Sequence, residues 1–525
     1  MSRWMNVGEV SSMGAYMYPE KIAVKDSRRS LSYKELNDRA NRLANALAGL
    51  GLSKGDKFAI IAYNRVEWME IYCAAAKAGL VAVPIMFRLE PPEYQYMLDN
   101  SESKAFIVQS HFTQGVDSIR EQVPGIPSTN FIFLGEGDIP AGYKDYEELL
   151  DEASPEEPQV DVHHEDIWLL SYTSGTTGKP KGALRSHESY LAIYLTLIGE
   201  MKFDREDIGL MVMPMCHFNS IFYSFLFLTT YATVCIYDEL SFDPENLLKT
   251  IAEEKITFAS LVPTHFIVIL GLPDAVKGKF DVSCVRRLMC SSAPARRDTK
   301  EKILEFFKNS ELFEGYGSTE GGMGTLLRPK DLMWKLSSIG REVVGMSRIK
   351  ILDEDGNEVP TGEVGELYTK GSTVFSGYWK MPEETKKAFK GDYFSAGDMG
   401  KKDEDGFYYL VDRKKNMIIT GGENVYPSEV EDVVGSHASV RDVAVIGIPD
   451  PKWGEAIKAV VIVEDGIEEK EELKEELMSY CKGKIAGYKR PKSVDFIKEE
   501  EMPRTATGKI LHRILREQHG KWSED

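Results

Sequence analysis

Ile167-Trp-Leu-Leu-Ser-Tyr-Thr-Ser-Gly-Thr-Thr-Gly-Lys-Pro-Lys-Gly182 runs an apolar strand straight into a loop of small and polar residues. Between Tyr172 and Gly182 stand three glycines, four Ser/Thr hydroxyls and two lysines. Glycines let main-chain N–H groups come close to an anion, and hydroxyls and ammonium groups add donors, so the loop reads as a phosphate cradle. A tract of this composition can also be a surface linker. Its place directly after a buried strand favours the cradle. It is not a P-loop: Gly175 and Gly178 have the wrong spacing, and Pro180 stands where that motif needs Ser or Thr. The dinucleotide fingerprint is absent as well.

Upstream of this loop, strand-like and helix-like segments alternate. Lys57–Tyr63, Leu80–Ile85, Lys104–Val108 and Asn130–Leu134 are apolar, β-branched runs, and Glu67–Gly79 has helical spacing ending at a glycine. Ile256–Pro263 and Val285–Ser291 continue the pattern. Alternation of this kind predicts βα units and parallel-rich sheets covered by helices. From Ser338 to Asp412 turn-rich sequence separates short strands such as Arg348–Leu352 and Gly365–Lys370, a β-rich subdomain. After Asp412 comes a compact α+β pattern: helices at Ser428–Ser436 and Lys470–Lys482, strands at Val440–Ile448, Ile457–Val463 and Val494–Ile497. The expected class is α/β, with a large N-terminal domain over residues 1–412 and a small, mobile α+β domain over 413–525.

The chain has 525 residues, 42% hydrophobic and 28% charged, which is globular usage and excludes a disordered protein. Its net charge of −19 argues against nucleic-acid binding and against docking on anionic lipid, both of which need a basic face. Six scattered cysteines without a CxxC pair fit free thiols in a reducing compartment. The most apolar run, Ile221–Tyr237, is shorter than the roughly 20 residues of a membrane span and predicts a buried helix followed by a strand. With no signal-peptide pattern at the start, the expectation is a cytoplasmic protein without integral membrane association.

Further stretches stand in order along the chain: Met213-Pro-Met-Cys-His-Phe218, Glu314-Gly-Tyr-Gly-Ser-Thr-Glu320, Tyr393-Phe-Ser-Ala-Gly-Asp398, Val411-Asp-Arg-Lys-Lys415, Gly421-Gly-Glu-Asn-Val-Tyr-Pro-Ser-Glu429 and Pro503-Arg-Thr-Ala-Thr-Gly-Lys509. Together with the glycine-rich loop they resemble the AMP-forming acyl-CoA synthetases of the adenylate-forming superfamily, over essentially the whole chain. The resemblance implies ATP activation of a carboxylic acid as an acyl-adenylate, then transfer to coenzyme A, with magnesium as cofactor. It implies that Thr173, Ser174, Gly175, Thr176, Thr177 and Lys181 hold the β- and γ-phosphates. Adenine would stack on Tyr316, between Gly315 and Gly317, with Ala293 and Pro294 on its other side. Thr319 would contact the α-phosphate, Glu320 would ligate magnesium, and Asp398 and Arg413 would hold the ribose. One carboxylate suffices for magnesium, which takes its other ligands from phosphate and water.

By the same resemblance Lys509 is the catalytic lysine, placed between the acid oxygen and the α-phosphate, where a cation relieves the repulsion of two anions. The small domain would rotate about Lys415, withdraw Lys509 and present Gly421 and Gly422 to the pantetheine arm, with Trp453 beside them. For the acid, His217 would position the carboxyl, and Phe218, Phe222, Gly317 and Gly322 would form part of the acyl pocket. Met213–Leu228 holds no acidic residue to pair a substrate ammonium, which argues against amino acids. Gly317 stands where acetate-specific relatives carry tryptophan. The expected acid is therefore apolar and larger than acetate, namely medium-chain, alicyclic or aromatic. Loading of a carrier-protein phosphopantetheine instead of CoA is the alternative. Oligomeric state stays open, a homodimer included.

Overall fold

The structure, a computed structural model, describes residues 5–173, 180–291, 295, 297–343, 348–420, 423–505 and 508–520. It divides into two compact units, Met1–Ile349 with Thr369–Phe394, and Lys350–Tyr368 with Ser395–Asp525.

Two large sheets build the first unit. In one, Ile167–Thr173, Val81–Ile85, Lys57–Ile61, Ser103–Gln109, Phe131–Leu134 and Lys144–Asp145 lie parallel in that spatial order, and Lys181–Ser186 returns antiparallel beside Ile167–Thr173. In the other, Glu311–Ser318, Arg287–Cys290, Phe258–Leu261, Ile208–Met211, Thr233–Ile236 and Ile22–Lys25 are parallel, and Gly322–Leu327 pairs antiparallel with Glu311–Ser318. Strands buried on both faces need unbroken apolar runs, and Lys57–Ile61 and Val81–Ile85 supply them. Between them runs helix Glu67–Ala78, buried throughout and closed by Gly79 at φ +63°, the left-handed cap that glycine makes without strain. Helix Tyr33–Gly49 starts with a capping box between Ser32 and Glu35. Apolar residues from both sheets and from helices Tyr33–Gly49, Glu67–Ala78, His187–Met201 and Phe218–Thr229 share one continuous core. The apolar run at Ile221–Tyr237 resolves into helix Phe218–Thr229 and strand Thr233–Ile236, both buried. Among the described residues no helix is long and apolar enough to cross a membrane.

The second unit holds a four-stranded antiparallel sheet, Lys350–Leu352, Gly365–Tyr368, Asp398–Lys402 and Tyr408–Arg413. Strand pairing gathers the segment 350–368 with residues after 395, and the expected boundary at Arg413 falls at the end of its last strand. Beyond it lies a mixed sheet centred on the long hairpin Val440–Asp450 and Gly454–Val463, with Ser493–Phe496 parallel to the latter. Helices Pro427–Val434 and His512–His519 pack on Val440–Asp450, and Glu471–Tyr480 packs on Ser493–Phe496. This matches the α+β pattern expected after Asp412.

Candidate active site

In the first unit the glycine-rich loop leaves the C-terminal end of Ile167–Thr173, and the Glu314–Glu320 segment occupies the C-terminal end of Glu311–Ser318. Ligands of open parallel sheets gather at such ends. Here the two ends meet: Thr173 Oγ1 donates a 3.0 Å hydrogen bond to Glu320 Oε1, across 147 residues of sequence. The Tyr378 hydroxyl donates to the same oxygen, also at 3.0 Å. Tyr378 sits on the short strand Gly377–Tyr378, which pairs with Lys181–Ser186 and so brings a turn-rich segment back to the site. The Glu320 main chain is held too, its carbonyl accepting from Phe375 N–H at 2.7 Å.

Lys181 is mostly buried and ion-paired with Glu384 at 2.9 Å, its ammonium 5.2 Å from the Tyr378 ring centre. Tyr316 lies half-buried on its strand, and its ring covers Gly324, where an added Cβ would come within 3.3 Å. Two residues earlier in the motif, Glu314 is tied into the core. Burial pushes its carboxyl up, against the pull of Lys300, whose ammonium lies 2.5 Å away. Its other oxygen accepts from Ala295 N–H, which ties Ala295 to the strand carrying Gly315 and Tyr316. Ser174, Gly175, Thr176, Thr177, Ala293 and Pro294 lie outside the described residues.

His217 caps helix Phe218–Thr229, its Nδ1 accepting from Asn219 N–H. Phe218 and Phe222 stack one turn apart, with ring centres 5.7 Å apart and planes 8° from parallel. Tyr190 and Tyr194 pack against them at 5.8 Å each. Gly317 was expected to leave room for the acid. A Cβ built there would point at the carbonyl oxygen of Gly322, only 2.2 Å away, at the irregularity where this strand pairs with Gly322–Leu327. A side chain there would require this backbone to shift. Gly322 itself has φ +68° and its own contact with Thr373.

In the second unit Asp398, 5% exposed, opens strand Asp398–Lys402 directly opposite Arg413 in the antiparallel register. Arg413 Nε lies 2.6 Å from Asp398 Oδ1, and Nη1 donates to the Ala396 carbonyl. Lys415 follows in a single turn of 3-10 helix, Lys414–Asn416, whose Lys415 and Asn416 carbonyls accept from Arg516 on the C-terminal helix. Lys509 is exposed, in a tight turn: its N–H donates to Thr505 Oγ1 and its carbonyl accepts from Thr505 N–H. Trp453 is half-exposed in the turn of the long hairpin, with the Lys452 ammonium 4.7 Å from its ring. Gly421 and Gly422 lie outside the described residues.

Tyr378, Glu384 and Arg185 were not singled out in the sequence. Each touches Thr319, Glu320 or Lys181 from a distant part of the sequence, Tyr378 and Arg185 on strands and Glu384 on helix Pro382–Ala388, and no local motif marks them. No cluster of three or more His, Cys, Asp or Glu side chains able to hold a metal occurs among the described residues. A divalent ion here would have Glu320 as its protein carboxylate. The donors gathered at that carboxylate, one acid and two hydroxyls, are all oxygen and suit a hard ion such as magnesium.

The family described as AMP-binding enzyme matches residues 13–379, and that described as AMP-binding enzyme C-terminal domain matches residues 429–509. The long-chain-fatty-acid–CoA ligase FadD13 of Mycobacterium tuberculosis is 35% identical over 492 residues, 93% of each chain. The feruloyl-CoA synthase of Amycolatopsis sp is 34% identical, covering 96% of this chain and 97% of its own. Among solved structures, the anthranilate CoA ligase AuaEII in complex with anthranoyl-AMP superposes with a TM-score of 0.90 at 28% identity, over 99% of this chain and 98% of that one. Motifs, fold and relatives agree over nearly the full length, and the chain belongs to the AMP-binding enzyme family as an acid–CoA ligase.

Proposed function

We propose that this ligase activates an apolar carboxylic acid larger than acetate, of medium-chain, alicyclic or aromatic type, and passes it to coenzyme A. The acid's carboxylate oxygen attacks the α-phosphorus of ATP and pyrophosphate leaves. The CoA sulfur then attacks the acyl carbon and AMP leaves. The observation that carries this reading is the Glu320 carboxylate, held by Thr173 and Tyr378 where two parallel sheets present their strand ends.

Glu320 would hold magnesium, which supplies charge neutralisation to the triphosphate when bound. Thr173 and Lys181, with Ser174, Gly175, Thr176 and Thr177, grip the departing phosphates, and Lys181 exchanges Glu384 for phosphate as it does so. Tyr316 offers the adenine platform, with Gly315, Ala293 and Pro294 around it, and Thr319 contacts the α-phosphate. Asp398 and Arg413, already paired, turn their remaining edges to the ribose hydroxyls. Lys509 neutralises the acid oxygen and α-phosphate as they approach. The small domain then turns about Lys415, and Gly421, Gly422 and Trp453 line the path of the thiol. His217, Phe218, Phe222, Gly317 and Gly322 line the acid's site, and the absence of acidic side chains along Met213–Leu228 supports an uncharged substrate tail. Six free cysteines support a reducing compartment, the cytoplasm.

ATP–pyrophosphate exchange across a panel of acids tests the reading, followed by CoA-thioester formation with the acids that exchange. We expect exchange with hexanoate- to benzoate-sized acids and little with acetate or amino acids. Exchange confined to acetate or to amino acids would overturn the substrate assignment.

A further inference from the structure

Arg185 is fully buried on strand Lys181–Ser186, a few residues past the phosphate loop, and the motif reading gives it no role. Its Nη1 donates to the Thr319 carbonyl at 2.8 Å and to the Glu320 carbonyl at 3.3 Å, and its Nη2 donates to the Ser189 carbonyl at 3.3 Å. The rings of Tyr190 and Phe218 lie 5.0 and 5.6 Å from the guanidinium carbon. Its Nε has no hydrogen-bond partner, and among the described residues no carboxylate forms a salt bridge with it.

A buried cation without a paired anion is costly, and evolution normally neutralises or removes it. The Thr319 and Glu320 carbonyls, which share the single donor Nη1, could be tethered by a neutral amide at far lower cost. The retained charge therefore points to an anion that arrives with substrate. The tethered residues, Thr319 and Glu320, are the pair assigned to the α-phosphate and the metal. Burial draws the guanidinium's pKa down, while Tyr190, Tyr194 and Glu320 draw it up. An arginine starts so high that it stays charged.

We propose that Arg185 is a positioning residue for adenylation: it fixes the Thr319–Glu320 backbone from beneath and keeps a permanent positive charge behind the site of the nucleotide's phosphates. Thioester formation, which no longer involves the triphosphate, does not depend on it. The proposal rests on the reading of Glu320 as the metal carboxylate.

The test compares Arg185→Gln, which keeps one donor without charge, and Arg185→Lys, which keeps charge without the fork, with Glu320→Gln and the double variant Arg185→Gln/Glu320→Gln. Each full-length protein is assayed for ATP–pyrophosphate exchange against magnesium concentration, for thioester formation from synthetic acyl-AMP, and for Tm. Arg185→Gln should lower exchange kcat/KM for ATP about 10–100-fold and raise the half-saturating magnesium, with thioester formation changed by less than about 3-fold. In the Glu320→Gln background the same substitution should cost no more than about 2-fold further, because the two act through one unit. Equal losses in both half-reactions that follow the fall in Tm would overturn the proposal, as would a full Arg185→Gln loss that persists without Glu320. If the glutamine variant does not fold, Arg185→Lys carries the same comparison. Unaltered magnesium dependence in Glu320→Gln alone would sink the metal assignment and this proposal with it. A defective Glu320→Gln beside a normal Arg185→Gln would sink only the role of Arg185.

Discussion

Lys300→Met removes an ammonium that is 1% exposed and leaves most of the aliphatic volume in place. Its partner Glu314, 8% exposed, then faces the core with the Ala295 N–H as its one donor among the described residues, and the Leu336 carbonyl loses a donor as well. Keeping the carboxylate ionised without its cation costs about 3–5 kcal/mol. Taking up a proton is the escape. An unburied carboxyl titrates near 4.5, so forcing protonation at pH 7 costs 2.5 pH units, about 3.4 kcal/mol, and at pH 5.5 only about 1.4 kcal/mol. The sign follows from linkage. A carboxyl whose folded pKa lies above its unfolded one does no harm below the unfolded value and destabilises as pH rises through the folded one. A unit of this size loses roughly 1.5–2 °C of Tm per kcal/mol, extrapolating from smaller domains. The variant should therefore melt about 5–7 °C below the parent at pH 7 and about 2–3 °C below it at pH 5.5, read by differential scanning fluorimetry. Adding Glu314→Gln should restore most of the loss, since no buried charge remains. A deficit that is the same at both pH values, or a double variant no better than the single, would refute this reasoning.

Lys509→Ala should reduce ATP–pyrophosphate exchange about 10²–10³-fold while thioester formation from synthetic acyl-AMP survives. Near-normal pyrophosphate release by that variant would remove the lysine from the mechanism. Tyr378→Phe deletes one of the two donors to Glu320 Oε1 among the described residues and should lower exchange about 10-fold or more, the worth of a hydrogen bond to a charged group, with the second half-reaction unchanged. Equal effects on both half-reactions would speak against it. His187 is buried, takes the Val7 N–H on Nδ1, and is held neutral because burial pushes its pKa down to about 3 from 6.5, with Asp166 opposing. Its penalty is absent above pH 6.5 and grows by about 1.4 kcal/mol per unit as pH falls towards 3, so the Tm of His187→Gln should fall less than the parent's between pH 7.5 and 5. Parallel melting curves for the two proteins across that range would disprove it.

The parallel-strand scaffold was legible because its signals are local. Unbroken apolar runs such as Lys57–Ile61 and Val81–Ile85 and the glycine stop at Gly79 survive any tertiary context, and observed elements differ from the expected ones by a residue or two at their ends. Contacts made by distant pairing were not legible. Tyr378 reaches Glu320 only because a two-residue strand joins Lys181–Ser186, and nothing in its neighbourhood announces this. Arg185 carries no signal in the sequence, since single charges are normally solvated. Its burial emerges only when helix His187–Met201 and the Thr319–Glu320 segment close over it. Gly317 illustrates a sound residue with an incomplete reason: read as space for the substrate, it is required first by a backbone carbonyl 2.2 Å from where its Cβ would stand.

The turn bearing Lys509 has a mechanical consequence. Helix His512–His519 follows it after two residues and is anchored by His512 to Glu431, by His519 to Asp495, and by Arg516 to the main chain of Lys415 and Asn416. The lysine thus rides on a braced lever whose fulcrum is the segment about which the small domain would turn, not on a loose end. On the proposed mechanism one rotation would set the presence or absence of its charge at the phosphates, and loosening Arg516 would then blur the timing of the two chemical steps without touching a substrate atom.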